Sequence, residues 1–307
     1  QSGRLPSSVV PLFLATPTVT PEPIFPTRTP VSELAEQAVQ TPEPIMTVTP
    51  FMMTGEGVTA PADIVAGPSI EPFVPYAERF GVAVAEDETL APATAAGLIY
   101  GSFLNWNVDG LSGDSFWRMV RVSETGLNED ENTWEMIAEA AEQNPGRYWL
   151  IGNEMDVKWQ DNVTPERYAE IYHEVYMFIK EIDPTAQVAI GGVSQSTPLR
   201  RAYLDIVLET YQRLYGEPLP TDMWNVHAFV LNEEAGGWGV DIPPGMSAEL
   251  ATTYEIADHK SIAFFAQNII DFRVWMAERG YQDKPLVVSE YGILMPVDYG
   301  FEPEVVA

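Results

Sequence analysis

Residues Arg147 to Asp156 read RYWLIGNEMD, an aromatic and aliphatic run that stops abruptly at Gly152, Asn153 and Glu154. A stretch that is apolar at successive positions can be buried on both faces, as a strand of a parallel sheet covered by helices must be. Side chains alternate along a strand, so Tyr148, Leu150, Gly152 and Glu154 are expected on one face. The carboxylate then emerges at the strand's C-terminal end, the working end of a barrel. A second stretch, Lys284 to Gly292 (KPLVVSEYG), repeats the design and ends its apolar run in Glu290. Leu286, Val288 and Glu290 are expected to share the face that looks along the barrel axis.

Working outward, strand and helix signals alternate, which predicts a parallel α/β architecture. Strands are expected over Arg79 to Ala85, Gly97 to Trp106, Phe116 to Val122, Arg147 to Glu154, Gln187 to Gly192, Met223 to Phe229 and Pro285 to Glu290. Helices are expected over Glu88 to Ala96, Asn132 to Gln143, Thr164 to Ile182, Leu199 to Tyr215 and His259 to Arg279. In the third of these, Tyr168, Ile171, Tyr172, Val175, Phe178 and Ile179 recur at helical spacing. Thr164 is placed to cap it, with Pro165 at the first helical position and Asp183-Pro184 as the stop. Trp134 and Trp275 sit among apolar neighbours at helical spacing and are assigned to packing. The segment Val230 to Ala257 interrupts the rhythm, and a loop of that length is expected to act as a lid. The fold class is therefore an α/β protein, a (β/α)8 TIM barrel lacking its eighth strand at the C-terminus, since too short a stretch follows Glu290.

A Thr/Pro-rich, disordered linker over residues 1–72 is expected to precede the barrel domain, 73–307, with order beginning near Phe73. From Thr16 to Pro50, proline removes backbone donors and no periodic apolar face appears, apart from one short helical turn at Ser32 to Val39. Tethers of this composition suit a secreted or cell-surface protein. The formal charge is −29, and such an acidic surface repels nucleic acid and anionic membrane. Cysteine is absent, which excludes disulfides, thiolate metal sites and cysteine nucleophiles. No run approaches the roughly 18 apolar residues of a membrane span, so no membrane insertion is expected. The chain is expected to act as a monomer.

Two carboxylates at the ends of barrel strands suit a reaction in which one carboxyl gives a proton while the other stays ionised. The Gly152-Asn153-Glu154 triplet on strand four, with Ser289 to Gly292 (SEYG) on strand seven, resembles the large clan of retaining glycosidases with (β/α)8 barrels that includes cellulases, mannanases and β-glucanases. The likeness spans Phe80 to Tyr299 and is nearest to secreted bacterial cellulase-like proteins. It implies a β-linked polysaccharide or oligosaccharide as substrate, no cofactor, Glu154 as general acid/base and Glu290 as nucleophile. Retention implies carboxyls about 5–5.5 Å apart. Asn153 matches the position that hydrogen-bonds the sugar hydroxyl beside the reacting carbon. Clan members often carry a tyrosine that touches the nucleophile; here Phe229 stands close by, and Tyr291 is a candidate substitute. The clan's strand-eight tryptophan has no counterpart before the chain ends, and a non-catalytic carbohydrate-binding or cell-surface barrel is the alternative.

Further candidates line the same mouth. His227 ends strand six, and Asn105 and Trp106 close strand two. Arg121 ends strand three, either to steady an ionised Glu290 or to form a surface ion pair. Trp106 and Trp238 are candidate platforms on which sugar rings stack, and Gln195, just after strand five, is a candidate sugar contact. Other motifs fail. His173-Glu174 would need a histidine at 177, where Met177 stands, and Gly192 to Ser196 lacks the closing glycine of a nucleophile elbow. No phosphate-cradling loop is present, and the three histidines have no metal-ligand spacing.

Overall fold

The computed structural model describes residues 79–84, 97, 99–110, 115–295, 297 and 301–302. The linker, the turn at 32–39, the onset of order near Phe73 and the helix expected over Glu88 to Ala96 lie outside the described residues.

Seven parallel strands follow one another in space in chain order. They are β1 (Gly81–Ala83), β2 (Ser102–Leu104), β3 (Arg118–Val120), β4 (Tyr148–Asn153), β5 (Gln187–Gly192), β6 (Trp224–His227) and β7 (Leu286–Glu290). Ladders join β1 to β2, β3 to β4, β4 to β5 and β6 to β7. Single bridges complete the sequence, Phe103 with Phe116 between β2 and β3, and Ala189 with Met223 between β5 and β6. Some Cα atoms of β1 and β7 lie within 8 Å of each other, yet among the described residues no ladder joins the two strands and the barrel is not closed. An intervening strand would need twice the inter-strand spacing, about 9.6 Å, so none fits where they approach. Among the described residues no eighth strand follows β7. An antiparallel hairpin that the sequence does not announce, Val122–Ser123 with Gly126–Leu127, caps the end of β3.

Between the strands run α1 (Trp134–Gln143), α2 (Pro165–Ile182), α3 (Pro198–Tyr215) and α4 (Ile262–Glu278). Their starts follow local chemistry: Thr133, Thr197 and Ser261 each accept a first-turn backbone N–H. Thr164 is the exception. Its hydroxyl donates to Glu124 (2.9 Å) instead of capping α2, and Pro165, which has no N–H to satisfy, begins the helix.

The alternation of β4 separates two cores. Leu150 joins Leu104, Met119, Ala189 and Met223 inside the barrel, whereas Trp149 and Ile151 face the helices with Tyr168, Tyr172, Tyr203 and Trp224. Trp134 packs edge-on against Phe178, tying α1 to α2, and Trp275 packs against Trp224. Both tryptophans thus serve packing. On β7 the expected parity is wrong: Val287 packs inside, while Leu286 and Val288 pack against the helical core. Glu290 still reaches the inner face because Val226 pairs with Val288 and His227 then pairs with Glu290. Passing over Ser289 makes a β-bulge, and a one-residue slip turns the next side chain to the opposite face.

Candidate active site

Glu154 sits at the end of β4 with φ at +44°, in the left-handed region that non-glycine residues seldom occupy. The backbone is held there by its N–H, donated to the Gly192 carbonyl (3.0 Å), and by the Val157 N–H, donated back to the Glu154 carbonyl (2.9 Å). Strain of this kind persists only where the surroundings over-determine it. The Glu154 side chain is buried, and its Oε1 lies 3.0 Å from Nδ1 of the fully buried His227. On the other side of the imidazole, Nε2 lies 3.6 Å from Oε1 of Glu290. Two carboxylates separated by 136 positions in sequence therefore converge on one ring.

Burial alone pulls the pKa of His227 down; the Glu290 charge, then the hydrogen bond and charge of Glu154, and finally Asp156 outweigh it and leave the pKa raised. Gly192 makes the room. A Cβ there would stand 2.4 Å from His227 Cδ2 and 2.6 Å from Nε2, so any side chain would expel the imidazole. The Gly191-Gly192 pair closing β5 is the signal of this space in the sequence.

Trp106 is the second surprise. It too has a positive φ, +60°, and its indole N–H donates to Glu290 Oε1 at 2.6 Å. Expected as a stacking platform, it is a hydrogen-bond donor to the carboxylate through its ring edge. Phe229, edge-on to His227 with ring centroids 5.9 Å apart, offers no donor. Tyr291 is no substitute: it is 63% exposed and packs against Phe265.

Several expected contacts go elsewhere. Arg121 does not reach Glu290. Its Nε donates to Oδ1 of the buried Asp161 (2.7 Å) and an outer nitrogen approaches the more exposed Glu131 at 3.4 Å, so its principal ion pair lies below the surface. Asp161 also accepts the N–H groups of Asn153 (2.7 Å) and Val122 (3.1 Å), locking the ends of β3 and β4 together. Burial pushes its carboxyl up to about 6 against the pull of Arg121 and those two N–H groups. Gln195 is fully buried and both ends of its amide bond the Leu231 backbone, each at 2.8 Å, so it holds that loop. Asn105 holds its own loop, donating to the Asp109 carbonyl and accepting from the Asn107 N–H, both at 3.1 Å. Asn153 donates to Gln160 (3.2 Å), and its buried Oδ1 has no hydrogen-bond partner among the described residues. Trp238 is 43% exposed on the long loop, edge-on to His259, and is available as a platform.

The segment Val230 to Ala257 is held by a buried network. Fully buried Arg200 binds Asp156 Oδ2 (3.0 Å), two residues after Glu154, and Glu233 Oε1 (2.9 Å) in the loop. It also donates to the carbonyls of Val240 and Asp241. This buried network was invisible in the sequence, because neither a lone arginine nor a lone aspartate announces its partner. Burial raises the pKa of Asp156, with Arg200 pulling the other way. The remaining histidines serve packing: His173 bonds Tyr211 (2.8 Å) and stacks on Tyr215, and His259 bonds the Val230 carbonyl. Among the described residues no cluster could hold a metal ion, and no helix is long and apolar enough to cross a membrane.

No protein-family model matches the chain, and no curated protein matches its sequence. Similar solved structures include a GH128 subgroup II endo-β-1,3-glucanase from Pseudomonas viridiflava, at TM-score 0.46 and 17% identity over 75% of this chain and 77% of that one. Another is a GH128 subgroup III curdlan-specific exo-β-1,3-glucanase from Blastomyces gilchristii, at TM-score 0.47 and 16% identity over 72% and 78%. A family 51 α-L-arabinofuranosidase from Bifidobacterium longum follows at TM-score 0.38 and 19% identity over 62% and 37%. All three are glycoside hydrolases. With TM-scores under 0.5, these likenesses transfer no substrate and no residue role to this chain.

Proposed function

We propose that the chain is a retaining glycosidase acting on β-linked polysaccharide or oligosaccharide, with Glu154 as acid/base and Glu290 as nucleophile. The observation that carries the reading is the convergence of both glutamates on His227, at 3.0 and 3.6 Å, at the C-terminal ends of β4 and β7. Glu154 has Oε1 engaged by His227, so Oε2 is the atom that holds the transferable proton. In the first step Glu290 attacks the anomeric carbon, the glycosidic C–O bond breaks, and the leaving oxygen takes the proton from Glu154. In the second, water gives a proton to Glu154 and attacks the same carbon, and the ester bond to Glu290 breaks. The unpartnered Oδ1 of Asn153 is an acceptor suited to a sugar hydroxyl. The acidic charge and the Thr/Pro-rich stretch support a place outside the cell, secreted or tethered.

The test is a panel of soluble polysaccharides, including β-1,3-, mixed-linkage β- and β-1,4-glucans, followed by two variants. Glu290→Ala should abolish turnover and, with azide, release product of inverted configuration; an unchanged rate sinks the assignment. Glu154→Ala should slow substrates with poor leaving groups far more than activated aryl glycosides. Binding to the panel without any hydrolysis would select the other reading, a non-catalytic carbohydrate-binding module.

A further inference from the structure

Resting on the glycosidase reading, we infer that Trp106 is the positioning residue of Glu290: its indole N–H holds Oε1, leaves Oε2 to attack, and stabilises the charge that returns to Glu290 when the glycosyl ester breaks. The contact joins residues 184 positions apart at 2.6 Å. Among the described residues Trp106 is the one hydrogen-bond donor to the Glu290 carboxylate, while the Ala228 N–H donates to the Glu290 backbone carbonyl (3.0 Å). His227 Nε2, at 3.6 Å, lies beyond hydrogen-bond length, Phe229 has no donor, and Tyr291 points to solvent.

The loop is built to present this donor. Trp106 adopts φ +60°, where a bulky residue is strained, and Asn105 on one side fixes the turn through Asn107 and Asp109. The ring packs against the inner core cluster that includes Leu104, Met119 and Leu150, which restrains it on that side. That restraint matters because, among the described residues, β7 is paired with β6 alone and its bulge at Ser289 sets the direction of Glu290.

The chemistry separates the two steps. Once Oε2 has bonded to the anomeric carbon, Oε1 is the ester carbonyl and the indole bond weakens. When the ester breaks, negative charge returns to the carboxylate and the bond strengthens, so the N–H favours the second transition state over the intermediate. Losing a bond to a charged group should slow that step about 10- to 100-fold.

The experiment pairs Trp106→Phe with replacement of Trp106 by benzothienylalanine, which keeps the indole shape without the N–H. On 2,4-dinitrophenyl β-glucoside or β-cellobioside, kcat and KM should fall together about 10- to 100-fold, with kcat/KM much less changed and a pre-steady-state burst of dinitrophenolate. A residue that only packs would lower thermal stability without a burst. Unchanged kcat in both variants, or equal losses in kcat and kcat/KM without a burst, overturns the inference. Independently of any substrate, the indole Hε1 resonance of Trp106 in the 15N-labelled chain should move upfield in Glu290→Gln. An unmoved resonance overturns the contact itself, whereas a moved resonance in a chain that hydrolyses nothing overturns the glycosidase reading and not the bond.

Discussion

The two strands that deliver the glutamates are held in different ways. β4 is paired on both sides, its residues from Trp149 to Asn153 are buried, and its end is fastened by Tyr168 to the Ile151 carbonyl (2.5 Å) and by Asp161 to the Asn153 N–H. Among the described residues β7 is paired on one side only, and each of its five residues is half-buried. Glu154 is therefore placed by its own strand, whereas Glu290 is placed by contacts from elsewhere, Trp106 across the mouth and His227 alongside. Acid/base and nucleophile then have different vulnerabilities.

The largest expected difference is in stability. Trp149→Ala removes a fully buried ring on β4 and should cost about 3–5 kcal/mol, whereas Val288→Ala on β7 should cost about 1 kcal/mol, read by urea denaturation. Equal losses would break the contrast. Next comes Gly192→Ala, whose Cβ would occupy the place of the His227 imidazole. It should destabilise by about 1–3 kcal/mol and cut activity at least tenfold through displacement of His227. Activity retained at the wild-type level would remove His227 from the mechanism.

Hydrogen exchange sharpens the comparison further. Amides of β4 should exchange only by global unfolding, while those of β7 exchange by local opening. The smallest expected effect is on pH dependence. His227 has a folded-state pKa above its ordinary 6.5, so its contribution to stability is fully present below about pH 6.5 and is lost as pH rises through the raised value. The stability difference between wild type and His227→Gln should shrink across that window. A pH-independent difference would mean that the imidazole is held neutral throughout.

The architecture was legible where local pattern decides it. Gln187 to Gly192 reads as a strand and is β5 to the residue, and the apolar spacing from Tyr168 to Ile179 is the buried face of α2. What failed had partners far away in the chain. The parity of β7 differs from the expected one because a bulge is a property of pairing with β6, not of KPLVVSEYG itself. Arg121, Gln195 and Trp106 were placed correctly on strand ends and loops, yet their hydrogen bonds run to Asp161, Leu231 and Glu290, choices fixed only when the strands assemble.

The sequence by itself determined which segments become strands and helices, and that two carboxylates stand at strand ends, because period, caps and breakers act within a few residues. The tertiary structure alone decided that Glu290 turns inward, that an imidazole fits between the carboxylates, and that a tryptophan donates to one of them. These depend on register and on the space left by Gly192, and neither exists until β4 to β7 lie side by side.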